Sequence, residues 1–323
     1  MANYDLIFDL GSENVSAATK NDGFCDKIPA VVAYGSDSTQ ILAVGVEAKR
    51  MYHASSGAIK LVRPILEGAV IDVEGAKALI SALLSRLANT NLKFFVRYNI
   101  YCIVPCGMIS SDKKTIESIL LSLGAKQVSF VETPIADSLK LFGEFRARQG
   151  IVVDIGYDCT DLAIVAANNI VNGCTLYHSG KHLTEAIIER IKAKYMILLS
   201  FEQAEYLKIN CASLYANDTT VVSVMGQNIQ YGSPETVNIS SKELYDTIVD
   251  FVKKYVVVIQ SLVDTAPSDI AGLVKNDGVM LCGGGARLAG LDIYLQQELG
   301  LPVKVASYPE DVSINGMLEY NKQ

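Results

Sequence analysis

Apolar runs of strand length alternate along this chain with amphipathic stretches of helical period. Leu6-Ile7-Phe8-Asp9-Leu10-Gly11 has the pattern of a buried strand ending in an Asp and a glycine turn, and Val15 to Thr19 follows as a second short strand. Val152-Val153-Asp154-Ile155-Gly156 repeats that arrangement, followed by Leu162 to Ala167. Asp9 and Asp154, like Gly11 and Gly156, stand 145 positions apart, so the sequence reads as two related halves. The spacing predicts a helix over Ala76 to Ala88, with Leu79, Ile80, Leu83, Leu84 and Leu87 on one stripe. A second helix over Lys113 to Leu123 carries Ile116, Ile119, Leu120 and Leu123 and is stopped by Gly124. Ser240 and Glu243 make a capping box before a long helix bearing Leu244, Ile248, Phe251, Val252, Tyr255, Ile259 and Leu262. Between Ala212 and Val237, short β-rich segments with a Gly-Ser-Pro turn at 232–234 mark an inserted subdomain. Alternating strands and helices give an α/β chain.

Composition narrows the class. The 323 residues are 50% hydrophobic, enough for about two domains of ~150 residues with sizeable cores. Twenty-eight Lys and Arg against 35 Asp and Glu leave a net charge of −7, which disfavours a nucleic-acid partner. Asp5 and Asp9 occupy the place of a basic, then apolar, leader, and no run approaches the ~18 apolar residues of a spanning helix. Seven scattered cysteines fit a reducing compartment, so the expected location is cytoplasmic. Cys102 and Cys106 lie in a strand pattern without a second Cys/His pair and read as buried thiols rather than metal ligands. His178 and His182 read as a solvated loop-to-helix face.

Chemistry is suggested by three glycine turns after apolar strands: Gly11, Gly156, and Gly283-Gly284-Gly285 after Val279-Met280-Leu281. Such turns present successive backbone N–H groups to phosphate oxygens. The third is read as opening a helix from Ala286 onward. Asp9 and Asp154 would then face the phosphates from both halves and seat a hydrated Mg²⁺ through water. Competing motifs are absent: there is no G-x-x-x-x-G-K-[ST], no G-x-G-x-x-G after a strand and no nucleophile elbow among three scattered histidines.

The two Asp-(Leu/Ile)-Gly turns resemble the phosphate motifs of the actin-like ATPase superfamily, and Cys282-Gly283-Gly284-Gly285-Ala286 resembles its adenosine motif. Within that superfamily the chain is similar to the MreB/Mbl rod-shape actins. The likeness is carried by Val44-Gly45-Val46-Glu47-Ala48-Lys49-Arg50-Met51, Ile59-Lys60-Leu61-Val62-Arg63-Pro64, Glu132-Thr133-Pro134 and Gly290-Leu291-Asp292. It implies an actin-like two-domain fold with ribonuclease H-like halves, a nucleotide cleft and two small subdomain insertions. Domain I would comprise 1–147 with 304–323 (small subdomain about 33–66), and domain II 148–303 (small subdomain about 180–243). It further implies ATP and Mg²⁺ as ligands and self-assembly into filaments. Ser12, Glu13 and Asn14 would line the first phosphate turn, Tyr157, Asp158 and Cys159 the second, while Glu205 and Lys208 would contact the nucleoside. Leu92, Phe94 and Phe95 lie where the family carries a membrane-inserting loop, which implies contact with the inner-membrane surface; read from the residues alone, the stretch fits ordinary burial at a strand start equally well.

Two departures from the family pattern bear on catalysis. The position before the proline, usually a Glu that organises the attacking water, is Thr133; Glu132 lies one residue earlier, where an extended chain would turn it away. The second phosphate turn, usually Asp-Ile-Gly-Gly-Gly-Thr-Thr, runs Asp154-Ile155-Gly156-Tyr157-Asp158-Cys159-Thr160, so the water-contacting Thr is Cys159. Gly180-Lys181-His182 also replaces a Gly followed by an acid. The expectation is nucleotide binding with weak or lost hydrolysis, since losing one positioned base costs ~10²–10⁴ in rate. Tyr157 replaces a Gly in a turn where positive φ would strain it. The alternative function is a small-molecule kinase on the same fold, for which Asp158 is the candidate base.

Overall fold

The computed structural model describes residues 4–20, 23, 25–36, 38–55, 57–88 and 98–320. Leu92, Phe94 and Phe95 lie outside the described residues. The chain forms two compact units, Met1–Arg146 with Asp311–Gln323, and Ala147–Glu310.

In the first unit, β1 (Tyr4–Leu10), β2 (Asn14–Thr19) and β3 (Cys25–Pro29) form an antiparallel meander. Next come β4 (Val32–Gly35), β5 (Ile41–Val44), α1 (Gly45–Ala54) and β6 (Ile59–Val62), whose strands make a separate sheet in the order β5-β4-β6. A hairpin of β7 (Ile65–Leu66) and β8 (Ala69–Val70) leads to α2 (Val73–Ala88). Then β9 (Tyr98–Val104), α3 (Ser110–Ser122), β10 (Ala125–Glu132) and α4 (Thr133–Phe145) complete this run. The main sheet has the order β10-β9-β1-β2-β3, with β1, β9 and β10 parallel. Successive side chains of β1 serve opposite cores: Leu6 and Phe8 pack with Leu79, Leu83, Ile116 and Leu120 of α2 and α3, whereas Ile7 packs with Ala136 and Met317. Burial on both faces is why that strand is apolar without alternation.

The second unit repeats the plan. Another meander, β11 (Gln149–Ile155), β12 (Thr160–Ala166) and β13 (Asn169–Leu176), is followed by α5 (Gly180–Tyr195), β14 (Ile197–Leu198), α6 (Phe201–Cys211), β15 (Val221–Asn228) and β16 (Pro234–Ser240). The last three strands form their own sheet. Then come α7 (Ser241–Asp264), α8 (Ser268–Asp277), β17 (Val279–Cys282), α9 (Leu291–Leu299) and β18 (Val303–Val305). The main-sheet order β13-β12-β11-β17-β18 matches that of the first unit strand for strand. The capping box at Ser240 and Glu243 is present, and Leu244, Ile248, Val252, Tyr255 and Ile259 of α7 are buried. The chain returns to the first unit as α10 (Val312–Glu319), packed on α4.

Three sequence expectations need correction. Residues 304–310, assigned above to the first domain, belong to the second unit, because β18 extends its sheet beside β17. His178 is not on a solvated face: its ring stacks on Phe251 at 3.7 Å, Nε2 lies 2.8 Å from the Phe251 carbonyl, and burial pulls the imidazole below its ordinary range. No helix opens at Ala286; the third glycine turn closes as a single 3-10 turn over Gly284–Arg287, and α9 starts at Leu291. No helix among the described residues is long and apolar enough to cross a membrane.

Candidate nucleotide site

Parallel strands bring the candidate residues of the first unit to one sheet edge. Register pairs Asp9 of β1 with Ile103 of β9, and Val104 of β9 with Glu132 of β10, so Asp9, Glu132 and Thr133 all lie at strand C-terminal ends, the usual ligand edge of such sheets. The turn after β1 needs Gly11, since a Cβ there would sit 2.8 Å from the Asn14 carbonyl oxygen. Ser12 is buried, and its carbonyl accepts a 2.6 Å bond from Arg63. Glu13 is not an open ligand. Its carboxylate pairs with Arg63 at 2.5 Å and Lys49 at 3.2 Å.

The turn after β11 has the same internal geometry. A Cβ on Gly156 would lie 2.9 Å from the Cys159 carbonyl oxygen, which accepts the Gly156 N–H at 3.0 Å. The Tyr157 carbonyl accepts from the Lys181 N–H at 2.7 Å and the Ser179 hydroxyl at 2.8 Å. Tyr157 does not take a left-handed backbone, so the strain expected there is absent; its ring meets Phe201 edge-on at 6.2 Å. Asp158 is 3% exposed, which counts against the solvent-facing base that the kinase alternative needs.

The third turn is built against the second. Gly283 has φ +75°, and a Cβ on it would lie 2.1 Å from Asp154 Oδ1 and 2.5 Å from the Ile155 carbonyl oxygen. A Cβ on Gly285 would meet Ile155 Cγ2 at 2.2 Å. Ala286, within the turn, is buried, while a Cβ on Gly284 would touch Glu310 Cγ at 3.9 Å, an ordinary contact. Only glycine satisfies both the backbone and the contact at 283. Asp154 therefore lies at the junction of two glycine turns, with its carboxylate against Gly283.

Glu205 and Lys208 lie on one face of α6, 2.8 Å apart. Thr184 of α5 donates to Glu205 at 2.5 Å, and Lys208 donates to the Gly180 carbonyl at 2.9 Å. Since the Gly180 N–H donates to the Gly156 carbonyl at 3.1 Å, this pair joins the second turn through the start of α5. Thr184, Ser179 and the clamping role of Arg63 have no local sequence signal. Ser12 and Arg63 are 51 positions apart, and only the tertiary fold brings them together.

The positions that the resemblance assigns to hydrolysis lie where β10 gives way to α4. Thr133 begins α4, and its hydroxyl donates to the Val104 carbonyl at 3.0 Å. Glu132 is the N-cap residue, and its carboxylate accepts the Gly107 N–H at 3.0 Å with Lys113 at 3.9 Å. The carboxylate is thus engaged by one backbone hydrogen bond and a longer ion pair.

Two units with one sheet topology, each carrying an inserted small sheet and a glycine turn after its first strand, define an actin-like fold. MreB5 of Spiroplasma citri, solved with ADP, superposes with a TM-score of 0.91 at 26% identity, over 99% of this chain and 97% of that one. MamK, solved as a double helical filament, matches at a TM-score of 0.84, 17% identity, 100% of this chain and 99% of that chain, a likeness of fold alone. The model of the MreB/Mbl protein family matches residues 3–323, and the chain belongs to that family. Cell shape-determining protein Mbl of Bacillus subtilis is 31% identical over 309 residues, 95% of this chain and 92% of that protein.

Proposed function

We propose that the protein binds Mg-ATP at its three glycine turns, assembles into cytoskeletal filaments that serve cell shape or motility, and hydrolyses ATP slowly. The observation that carries the binding reading is the fit of Gly283 against Asp154: a turn with no room for a Cβ holds a carboxylate at a strand end. Gly11 and Gly156 close their turns in the same way, as backbone phosphate cradles do. MreB5 of Spiroplasma citri has been solved with ADP and with AMPPNP, which supports the same ligand class here. Bound Mg-ATP would supply the transferable phosphoryl group. Asp9 and Asp154 would orient the hydrated cation, Ser12–Asn14 and Gly156–Cys159 would hold phosphate oxygens, and Gly283–Ala286 with Glu205 and Lys208 would hold the nucleoside. Slow hydrolysis is supported by Thr133 and Cys159 at the places the resemblance gives to water positioning, and by Glu132 accepting the Gly107 N–H with Lys113 3.9 Å away. Filament formation rests on family membership, since a repeated head-to-tail contact that does not close builds a strand. We assign cytoplasmic placement, with Leu92, Phe94 and Phe95 as the membrane-facing segment, on sequence alone.

The test is thermal melting of the purified protein with Mg-ATP. At ~100-fold excess over the dissociation constant, linkage stabilises by ~2.7 kcal/mol, a rise of several degrees. No shift at millimolar ATP, or an equal shift with NAD, refutes the reading. Pelleting and negative-stain microscopy of the same samples, with and without anionic liposomes, test assembly and membrane contact.

A further inference from the structure

Different parts of the chain hold the two phosphate turns. In the second, the carbonyl of Tyr157 is fixed by the backbone N–H of Lys181 and by Ser179. In the first, the equivalent carbonyl, that of Ser12, is fixed by a side chain, the Arg63 guanidinium at 2.6 Å. The same guanidinium pairs with Glu13 at 2.5 Å, and Lys49 of α1 takes the other carboxylate oxygen at 3.2 Å. The next carbonyl, that of Glu13, accepts the Ala30 N–H at 2.9 Å. None of the described peptide bonds is cis. In a trans peptide the C=O and N–H point in opposite directions. Drawing the Ser12 carbonyl to Arg63 therefore aims the Glu13 N–H away from Arg63, and the Ala30 bond does the same for the Asn14 N–H.

We propose that Arg63 is a positioning residue of the first phosphate turn: by holding the Ser12 carbonyl and the Glu13 carboxylate together, it presets the backbone N–H groups that receive phosphate. The inference rests on the nucleotide reading above. A planar, two-pronged guanidinium suits the task, because it serves two acceptors at fixed separation where an ammonium offers one compact charge. The Glu13 carboxylate then anchors the turn while its N–H faces phosphate, and Arg63 and Lys49 offset the carboxylate's charge beside an anionic ligand.

The experiment is equilibrium binding of Mg-ATP and of adenosine to the full-length chain and to Arg63→Ala, Arg63→Lys and Glu13→Gln, each also melted without ligand. Wild-type protein should bind Mg-ATP. Arg63→Ala should lose about 10- to 100-fold in ATP affinity, the range for hydrogen bonds to a charged group, while adenosine binding changes less than about twofold. Arg63→Lys should fall between these, and Glu13→Gln, which keeps the Ser12 bond, should lose least. If Arg63→Ala does not fold, the order of Arg63→Lys and Glu13→Gln decides. Equal losses for ATP and adenosine, or unchanged ATP affinity in folded Arg63 variants, overturn the proposal. Wild-type protein that binds no ATP refutes the nucleotide reading instead.

Discussion

Ser12 and Tyr157 stand 145 positions apart and use their main-chain carbonyls alike, each accepting from a donor beyond its own meander: Arg63 in one unit, the Lys181 N–H and Ser179 in the other. The side chains of the turns have diverged completely, Ser-Glu-Asn against Tyr-Asp-Cys. Peptide orientation has not. What the two halves keep is the glycine that lets residues 11 and 14, or 156 and 159, approach within less than 3 Å of a would-be Cβ. The duplication therefore preserves a backbone device, and a backbone device tolerates side-chain change.

Gly283→Ala should be among the most damaging single substitutions in the second unit. Its Cβ would lie 2.1 Å from Asp154 Oδ1, and φ of +75° already disfavours any L side chain by about 1 kcal/mol. Relieving the overlap must displace Asp154 or the turn, so destabilisation of about 2 kcal/mol or more is expected, with loss of Mg-ATP binding. Gly284→Ala, whose nearest neighbour would be Glu310 Cγ at 3.9 Å, is the control and should melt within a few degrees of wild type. Indistinguishable melting curves for the two variants would refute this packing argument.

The repeat was legible because a strand buried on both faces and ending in Asp-x-Gly leaves a local trace, as do a capping box and a glycine stop. The long helix from Ser241 follows from Ser240, Glu243 and a regular apolar stripe. What escaped was non-local. Nothing near Glu13 announces Arg63 and Lys49, the two cations that take up its carboxylate. His178 reads as solvated because it stands four positions before His182 at a loop-to-helix boundary with no carboxylate partner in the sequence, yet the ring stacks on Phe251, 73 positions away. Tyr157 looked strained by analogy with glycine, and the turn accommodates it with ordinary backbone angles.

Glu243 should make the second unit sensitive to acid. Burial raises its pKa, but hydrogen bonds from Lys194, Tyr195 and Ser240 outweigh this and hold it at about 2, against 4.5 for a free side chain. A group with a depressed folded pKa contributes stability above its unfolded pKa and loses it as pH falls toward the folded one. The contribution should therefore be complete above pH 4.5 and fade between 4.5 and 2. Glu243→Gln should cost about 1 kcal/mol at pH 7, the usual worth of a capping interaction, and should flatten the melting temperature's dependence on pH in that window. The same slope in variant and wild type would show that other carboxylates govern the acid transition.

Turnover tests the hydrolytic departures directly. Thr133 and Cys159 occupy the places where the family resemblance puts a water-positioning Glu and Thr, and Glu132 is held by Gly107 and Lys113. Thr133→Glu with Cys159→Thr should raise phosphate release by about one order of magnitude or more, the lower part of the range for a restored general base. Thr133→Glu also removes the hydroxyl bond to the Val104 carbonyl, so the variant should melt slightly lower, in line with about 1 kcal/mol for one hydrogen bond. Faster release from a less stable protein is therefore the signature, and it separates a gain in chemistry from a gain in folding. Asp158→Ala is the decisive companion. With Asp158 3% exposed, the substitution should lower stability and leave the slow wild-type rate within about threefold where the protein remains folded. Ordinary turnover in the wild type together with a large loss in Asp158→Ala would instead make Asp158 the catalytic base and overturn the slow-hydrolysis reading.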